Sequence, residues 1–379
     1  MTWVGSIDGI CELLPSLNYA QGRQEAAFVF YGRRSQSALL GSQSRLMPWQ
    51  ISHALTIWVE LMARMLKPED VPDCLWNRDD QSLTLPISLS QAFEAAINAR
   101  NLRHLIHTDG DDGPIGGRTE GETLEHFVNR FDGSSARLQL AFLDPFEHLA
   151  GTSDVILSRL SGGTTCLVDS PCGAGAGFLS LLLVIAKLRE LEVLPRIQLN
   201  VRLLAADISD LARAIGAEML ASVQQALEDQ GIIVEAEWLR WDVTSESSTA
   251  DLVKRVVIRS DGCKANFLLV ANFSGYLITH KKLKDSEPQL YELFKYFSGD
   301  DSFSVWIEPK TNSAFAPGGL LHWLSKKALS RWAWFARLSS GLSESVSSFA
   351  TEAKFRPVLR NGMAMARVCV SHMRLSSNG

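Results

Sequence analysis

The chain has 379 residues, of which 46% are hydrophobic and 21% charged, and its net charge is −5. That length predicts two domains, and the composition excludes wholesale disorder, a collagen-like fibre and a disulfide-stapled miniprotein. No apolar run approaches the ~18 residues needed to span a bilayer. The first residues lack the basic region of a secretory signal. The six cysteines are scattered without a CxxC pair or a nearby set of histidines, which predicts a reduced, cytoplasmic protein with no metal site. Charge is uneven along the chain: residues 251–379 carry net +8 and residues 1–250 net −13. Such asymmetry can place an anionic substrate on the C-terminal part, or it can draw the two halves, or a partner subunit, together.

The first ~135 residues read as a mainly helical N-terminal domain, suited to cap a site or to select a substrate or partner. Ser52–Lys67 has apolar residues at helical spacing and stops before Pro68. Ser90–His107 predicts a second helix and Thr123–Phe131 a short third one, with an acidic, turn-rich loop at Asp109–Gly117 between them. Residues 136–379 read as a Rossmann-like domain, in which from about residue 150 short apolar strands alternate with helical stretches, the pattern of parallel βαβ units. Asp154–Leu160 predicts a helix, Thr165–Asp169 a strand and Phe178–Leu191 a long helix. Val201–Asp207 predicts the next strand and Leu211–Gln230 the next helix. Strands follow at Ile233–Trp241, Asn266–Ala271 and Ser304–Glu308, then a helix over Leu320–Leu338. Two last β segments, Lys354–Leu359 and Met365–Ser371, flank Asn361-Gly362, a dipeptide suited to a hairpin turn. The expected architecture is a doubly wound α/β fold whose seven-stranded, mostly parallel sheet ends in an antiparallel hairpin.

One loop stands out: Asp169-Ser170-Pro171-Cys172-Gly173-Ala174-Gly175-Ala176-Gly177 lies between a strand and a helix. Glycines let a backbone approach a ligand, and a helix N-terminus adds free N–H groups, although small residues also serve tight strand–helix packing. Open α/β sheets bind ligands at the carboxyl ends of their strands. There the chain places Asp169, Asp207, Asp242 and Asn272 on four successive strand ends. Asp207, ahead of Ser209, also fits a helix cap.

This series resembles the class I S-adenosylmethionine-dependent methyltransferases over roughly residues 150–379, and its Asp-x-x-Cys-Gly-x-Gly loop is closest to the amino-methylating DNA and RNA methylases. The resemblance implies that Asp169, Cys172, Gly173, Ala174 and Gly175 hold the methionine part of S-adenosylmethionine. It assigns Asp207 to the ribose with Ile208 beside the adenine, and Asp242 to the adenine amine with Val243 as an apolar contact. Amino-methylating enzymes carry Asn or Asp, two prolines and an aromatic residue after the fourth strand. Here Asn272-Phe273-Ser274-Gly275-Tyr276 keeps the Asn, lacks both prolines and has the aromatic one place late. One alternative is therefore a catalytically degenerate S-adenosylmethionine-binding sensor or scaffold. Another is an NAD-dependent oxidoreductase, whose fingerprint G-x-G-x-x-G is replaced here by G-x-G-x-G.

For chemistry, Asn272 can accept a hydrogen bond from an attacking amine, and Phe273 or Tyr276 can stack on a planar acceptor. An oxygen or carbon nucleophile needs a base, for which Glu308 is the first candidate, with His280 and Lys281 behind it. In Leu320–Leu338, Trp323, Lys327, Arg331 and Trp334 share one helical face, which can bind a nucleic-acid substrate, a protein partner or a second copy of the chain.

Overall fold

The computed structural model describes residues 64–107, 119–149, 151–297, 302–309 and 342–377. Met65–Gly379 form one compact unit. Its centre is a parallel sheet of β3 (Gly163–Asp169), β4 (Leu199–Asp207), β5 (Ile232–Arg240), β6 (Ala265–Ala271) and β7 (Ser302–Pro309). The long antiparallel pair β8 (Leu342–Phe355) and β9 (Ala364–Ser377) follows, with β9 lying antiparallel against β7.

The sheet has nine strands, not seven. Two short strands, β1 (Trp76–Asn77) and β2 (Ser82–Leu83), pair with each other, and β2 joins the outer edge of β8. The spatial order is β1-β2-β8-β9-β7-β6-β3-β4-β5. The chain moves outward from β3 through β4 to β5, then returns to the other side of β3 with β6 and β7. The order reverses between β3 and β6, the place where a doubly wound sheet opens a crevice at its carboxyl edge. The strand expected over Lys354–Leu359 lies earlier, as β8, and only Lys354 and Phe355 of the expected segment belong to it, whereas β9 contains and extends Met365–Ser371. They are joined by residues 356–363 rather than by a two-residue Asn-Gly turn, because Pro357, lacking an N–H, cannot extend the pairing past Phe355↔Ala364. Gly362 takes the positive φ, +90°.

Both sheet faces are covered, which is why the central strands read as near-continuous apolar runs. Successive side chains alternate between two cores: Leu167, Phe267 and Leu269 face one, while Cys166, Val168, Leu268 and Val270 face the other. Into the first core pack α1 (Ile87–Ala99), α2 (Glu120–Leu143), α3 (Thr152–Arg159), α4 (Ala176–Glu190) and α5 (Asp210–Glu228). Into the second pack α6 (Glu246–Ser260), α7 (Ser274–Thr279) and α8 (Leu283–Lys295).

The helix predicted over Ser90–His107 is divided. It starts earlier, as α1, and ends where Asn101 turns left-handed at φ +54°, followed by a single 3₁₀ turn over Leu102–Leu105. The short helix expected at Thr123–Phe131 is the 24-residue α2. A capping box starts it: Glu122 N donates to Thr119 Oγ1 at 3.2 Å, and Thr119 N to Glu122 Oε2 at 3.3 Å. Gly133, Ser134 and Ser135 do not break it, because there it is packed against the protein: Ser135 is fully buried, and a Cβ on Gly133 would stand 3.7 Å from the Phe355 ring. The domain boundary expected near residue 135 falls inside this continuous helix, and residues 65–135 belong to the same compact unit as the sheet. Residues 52–63 of the first predicted helix, the loop at 109–117 and the helix at 320–338, with Trp323, Lys327, Arg331 and Trp334, lie outside the described residues. Among the described residues no helix is long and apolar enough to cross a membrane, and no cluster of His, Cys, Asp or Glu is arranged for a metal ion.

Candidate functional site

The carboxyl ends of β3, β4 and β6 open onto one cavity, and α2 forms its opposite wall. The Gly-rich loop leaves β3 at Asp169 and enters α4 at Ala176. Its backbone is tied to the next strand, with Cys172 N donating to Ala206 O at 2.9 Å. Gly175 sits at φ +87°, and a Cβ there would meet the Phe178 ring at 2.7 Å. At Gly177 a Cβ would come within 2.4 Å of Asp169 Oδ2 and 2.9 Å of Leu269 Cδ2. Only glycine lets the helix end come this close to the strand.

Asp169 and Asp207 both line the cavity, and both are buried, at 1% and 8% exposure. Asp169 Oδ2 accepts the Phe178 amide of α4 at 3.0 Å, whereas Oδ1 has no partner. Burial, reinforced by the Asp207 charge and only partly offset by the Phe178 bond, pushes the Asp169 pKa up to about 8. Asp207 Oδ2 accepts Gly173 N at 2.9 Å, and Oδ1 accepts Ser209 N at 2.8 Å. Burial raises its pKa, against the pull of these bonds and of Arg213. Asp207 therefore clamps the Gly loop to the end of β4, while Ser209 caps α5 by accepting Ala212 N at 3.2 Å. Cys172, Gly173, Ala174 and Ile208 line the same cavity, and Cys172 is nearly buried with its thiol pKa raised by burial.

The other predicted residues divide. Asn272, Phe273 and Tyr276 reach the cavity; Asp242, Val243 and Glu308 are not among the residues lining it. Asp242 Oδ1 takes the amide and the hydroxyl of Thr244, at 2.9 and 2.8 Å, in a tight turn after β5. Burial works to raise its pKa, but the Thr244 bonds leave it below the ordinary value. Val243 is in the second core. Glu308 is buried at the end of β7, and its Oε1 accepts Phe273 N at 2.9 Å, Ser274 N at 2.6 Å and Trp306 Nε1 at 2.5 Å. Burial raises its pKa despite these bonds. It holds the turn after β6 in place. Tyr276 is stacked with Phe273, at 5.9 Å and 10°, and its ring also meets His280 at 4.5 Å and the Lys282 ammonium at 5.5 Å. His280 and Lys281 do not line the cavity.

Besides Pro171, Ala212 and Ala271, the lining residues that sequence reasoning missed come from α2. Thr123, His126, Phe127, Phe131 and Ser134 line the cavity, spaced i, i+3, i+4, i+8 and i+11 on one helical face. Thr123 Oγ1 lies 3.2 Å from Ser209 Oγ, at the β4 end. Near the β6 end, Arg137 Nε donates to Asn272 Oδ1 at 3.1 Å and Arg137 Nη2 to Ser134 Oγ at 3.2 Å. Eleven residues of helix, about 16 Å, thus span the site from Thr123 to Ser134. That stripe of small, polar and aromatic residues was the available signal.

No known family and no curated protein matches the chain. Among solved structures it is similar to a precorrin 8w decarboxylase from Methanobacterium thermoautotrophicum, at 11% identity and TM-score 0.29 over 57% of this chain and 86% of that one. A precorrin-6y C5,15-methyltransferase from Geobacter metallireducens gives 9% and 0.24 over 58% and 84%. A protein described under the conversion of a disulfide bond into a thioacetal group during echinomycin biosynthesis gives 10% and 0.27 over 57% and 77%. Likeness this slight says nothing about chemistry, which has to be read from the cavity.

Proposed function

We propose that the chain is an S-adenosylmethionine-dependent methyltransferase that transfers the methyl group by in-line displacement. The observation that carries the reading is the cavity at the β3/β6 reversal, in which a buried carboxylate oxygen, Asp169 Oδ1, has no partner. A buried acceptor left unpaired is costly unless a ligand completes it, and a cationic ligand suits a carboxylate best. The glycines that keep the loop close to the strand, and the second carboxylate at the end of β4, fit the same ligand.

When bound, the group supplies a methyl already activated by sulfonium. The protein's task is to bind, to orient and to exclude water. Asp169 would hold the cationic end through its unpartnered Oδ1. Burial pushes its pKa up to about 8, and a cation bound beside it would favour the ionised form. Asp207 keeps one hydrogen bond on each oxygen and has further lone pairs for ribose hydroxyls. Phe127, Phe131 and Phe273 supply apolar walls.

Parallel calorimetric titrations with S-adenosylhomocysteine and NAD test the reading. Binding of the first and not the second is expected; binding of NAD alone, or of neither, overturns it. Transfer of a tritiated methyl into a cell extract, abolished by heat denaturation, separates an enzyme from a protein that only binds.

A further inference from the structure

The turn after β6 presents a different chemistry from the one its Asn was expected to supply. Asn272 is left-handed, φ +53°, and is held there by its backbone N–H on Ile307 O at 2.8 Å. Its side-chain oxygen accepts Arg137 Nε. A guanidinium has donors only, so the Asn272 amide must turn its oxygen to Arg137 and its NH₂ away. An attacking amine gathers positive charge as it is methylated. The oxygen that would steady that charge is pressed against a cation.

The charges around Arg137 are Glu308, Asp132 and Arg130. Both acids are already engaged. Glu308 holds Phe273, Ser274 and Trp306. Asp132 accepts Gly133 N at 2.7 Å and Val358 N at 3.2 Å and lies 3.8 Å from Arg360. The carboxylates that line the cavity, Asp169 and Asp207, close β3 and β4 instead. At the β6 end the cavity is lined by Asn272 and Ser134, and the Arg137 guanidinium, which does not line it, stands behind them bonded to both.

Building on the methyl-transfer reading, we infer that the acceptor presents a carboxylate at Asn272, held by the Asn272 NH₂ and the Ser134 hydroxyl, and that the product is a methyl ester. Arg137, behind them, orients both groups, and its positive charge favours an anion there. One carboxylate oxygen gives an electron pair to the methyl carbon while the carbon–sulfur bond breaks with its pair going to sulfur. A neutral ester and a neutral thioether result. No proton has to be removed, so the step needs no base, and Glu308 is left to its role in the turn. Arg137 and Asn272 are the residues that set specificity for the acceptor.

The test uses the full chain saturated with S-adenosylhomocysteine and titrated with benzoate and with its neutral isostere, benzamide. Benzoate should bind at least tenfold more tightly; equal affinities, or a preference for benzamide, overturn the inference. Arg137→Gln and Asn272→Asp should each weaken benzoate at least tenfold, with S-adenosylhomocysteine affinity reporting that the variant is folded. If either variant does not fold, the comparison of the two probes on the native chain still decides. Failure of S-adenosylhomocysteine itself to bind defeats methyl transfer, and the benzoate preference is then read on the chain alone. Tritiated methyl transferred to an extract should leave as volatile methanol in mild alkali, as an ester does; a label stable to alkali overturns the carboxylate.

Discussion

Replacing Asp169 with asparagine separates the stability of this fold from its proposed binding. Burial, with Asp207 close by, pushes the wild-type carboxyl from the ordinary aspartate value of 3.8 up to about 8. At about 1.4 kcal/mol per unit, the folded state forgoes at most about 6 kcal/mol when this group ionises. The sign follows from proton binding. Between pH 4 and pH 8 the folded chain holds a proton that the unfolded chain has released, so stability from this group is greatest at low pH and falls as pH rises through that window. Above pH 8 the loss is complete. The Asp169→Asn side chain would keep an oxygen for the Phe178 amide and would not titrate. Urea denaturation followed by tryptophan fluorescence at pH 5, 7 and 9 should show the variant gaining on the wild type as pH rises, by a few kcal/mol at pH 9. Asp132, Asp207 and Glu308 are also shifted upward, so the difference between the two proteins, not either curve alone, isolates Asp169. Two parallel curves would refute the argument that this carboxyl is held against its charge. The same variant should bind S-adenosylhomocysteine more weakly, a stabilising change that impairs the site.

Asp207→Ala should lower both stability and cofactor affinity: two amides, of Gly173 and Ser209, lose their acceptor at a cost of about 1–3 kcal/mol each, seen as a fall in the denaturation midpoint. An unchanged midpoint would contradict its role as a clamp. Gly177→Ala forces a Cβ into Asp169 and Leu269 and should destabilise by about 1–3 kcal/mol, measured in urea. Glu308→Ala strips three donors of one acceptor and should cost about 3 kcal/mol or more, whereas Glu308→Gln, which keeps an oxygen, should cost less; equal losses would mean that the hydrogen bonds are not what matters.

The sheet centre was legible because the second halves of β3, β4 and β6 are buried on both faces and read as short apolar runs, with Asp169, Asp207 and Asn272 at or just after their ends. The Gly loop was legible because its glycines stand together between a strand and a helix, where Gly175 is crowded by Phe178 and Gly177 by Asp169 of the same loop. β1 and β2, two residues each, are too short to show any period. α6 was missed because it opens on Glu246-Ser247-Ser248-Thr249, and only Thr249, Leu252, Val253 and Val256 face the core. Asp242 looked like its neighbours on the sheet edge, but Thr244, two residues on, folds it into a turn. Glu308 looked like a base because it ends a strand; nothing local reveals that its partners are 34 and 35 residues upstream. Arg137 was invisible for the same reason, since its link to Asn272 crosses 135 residues of chain.

One rod, α2, touches both halves of the pocket, and its pitch acts as a gauge between them. Adding a single residue after Phe127 would swing everything downstream by about 100° and leave Thr123 and His126 undisturbed. Because nearly every residue from Phe131 to Leu143 is buried, such a swing would cost the core as well as the pocket, so the register of this one helix ties the shape of the site to the stability of the fold.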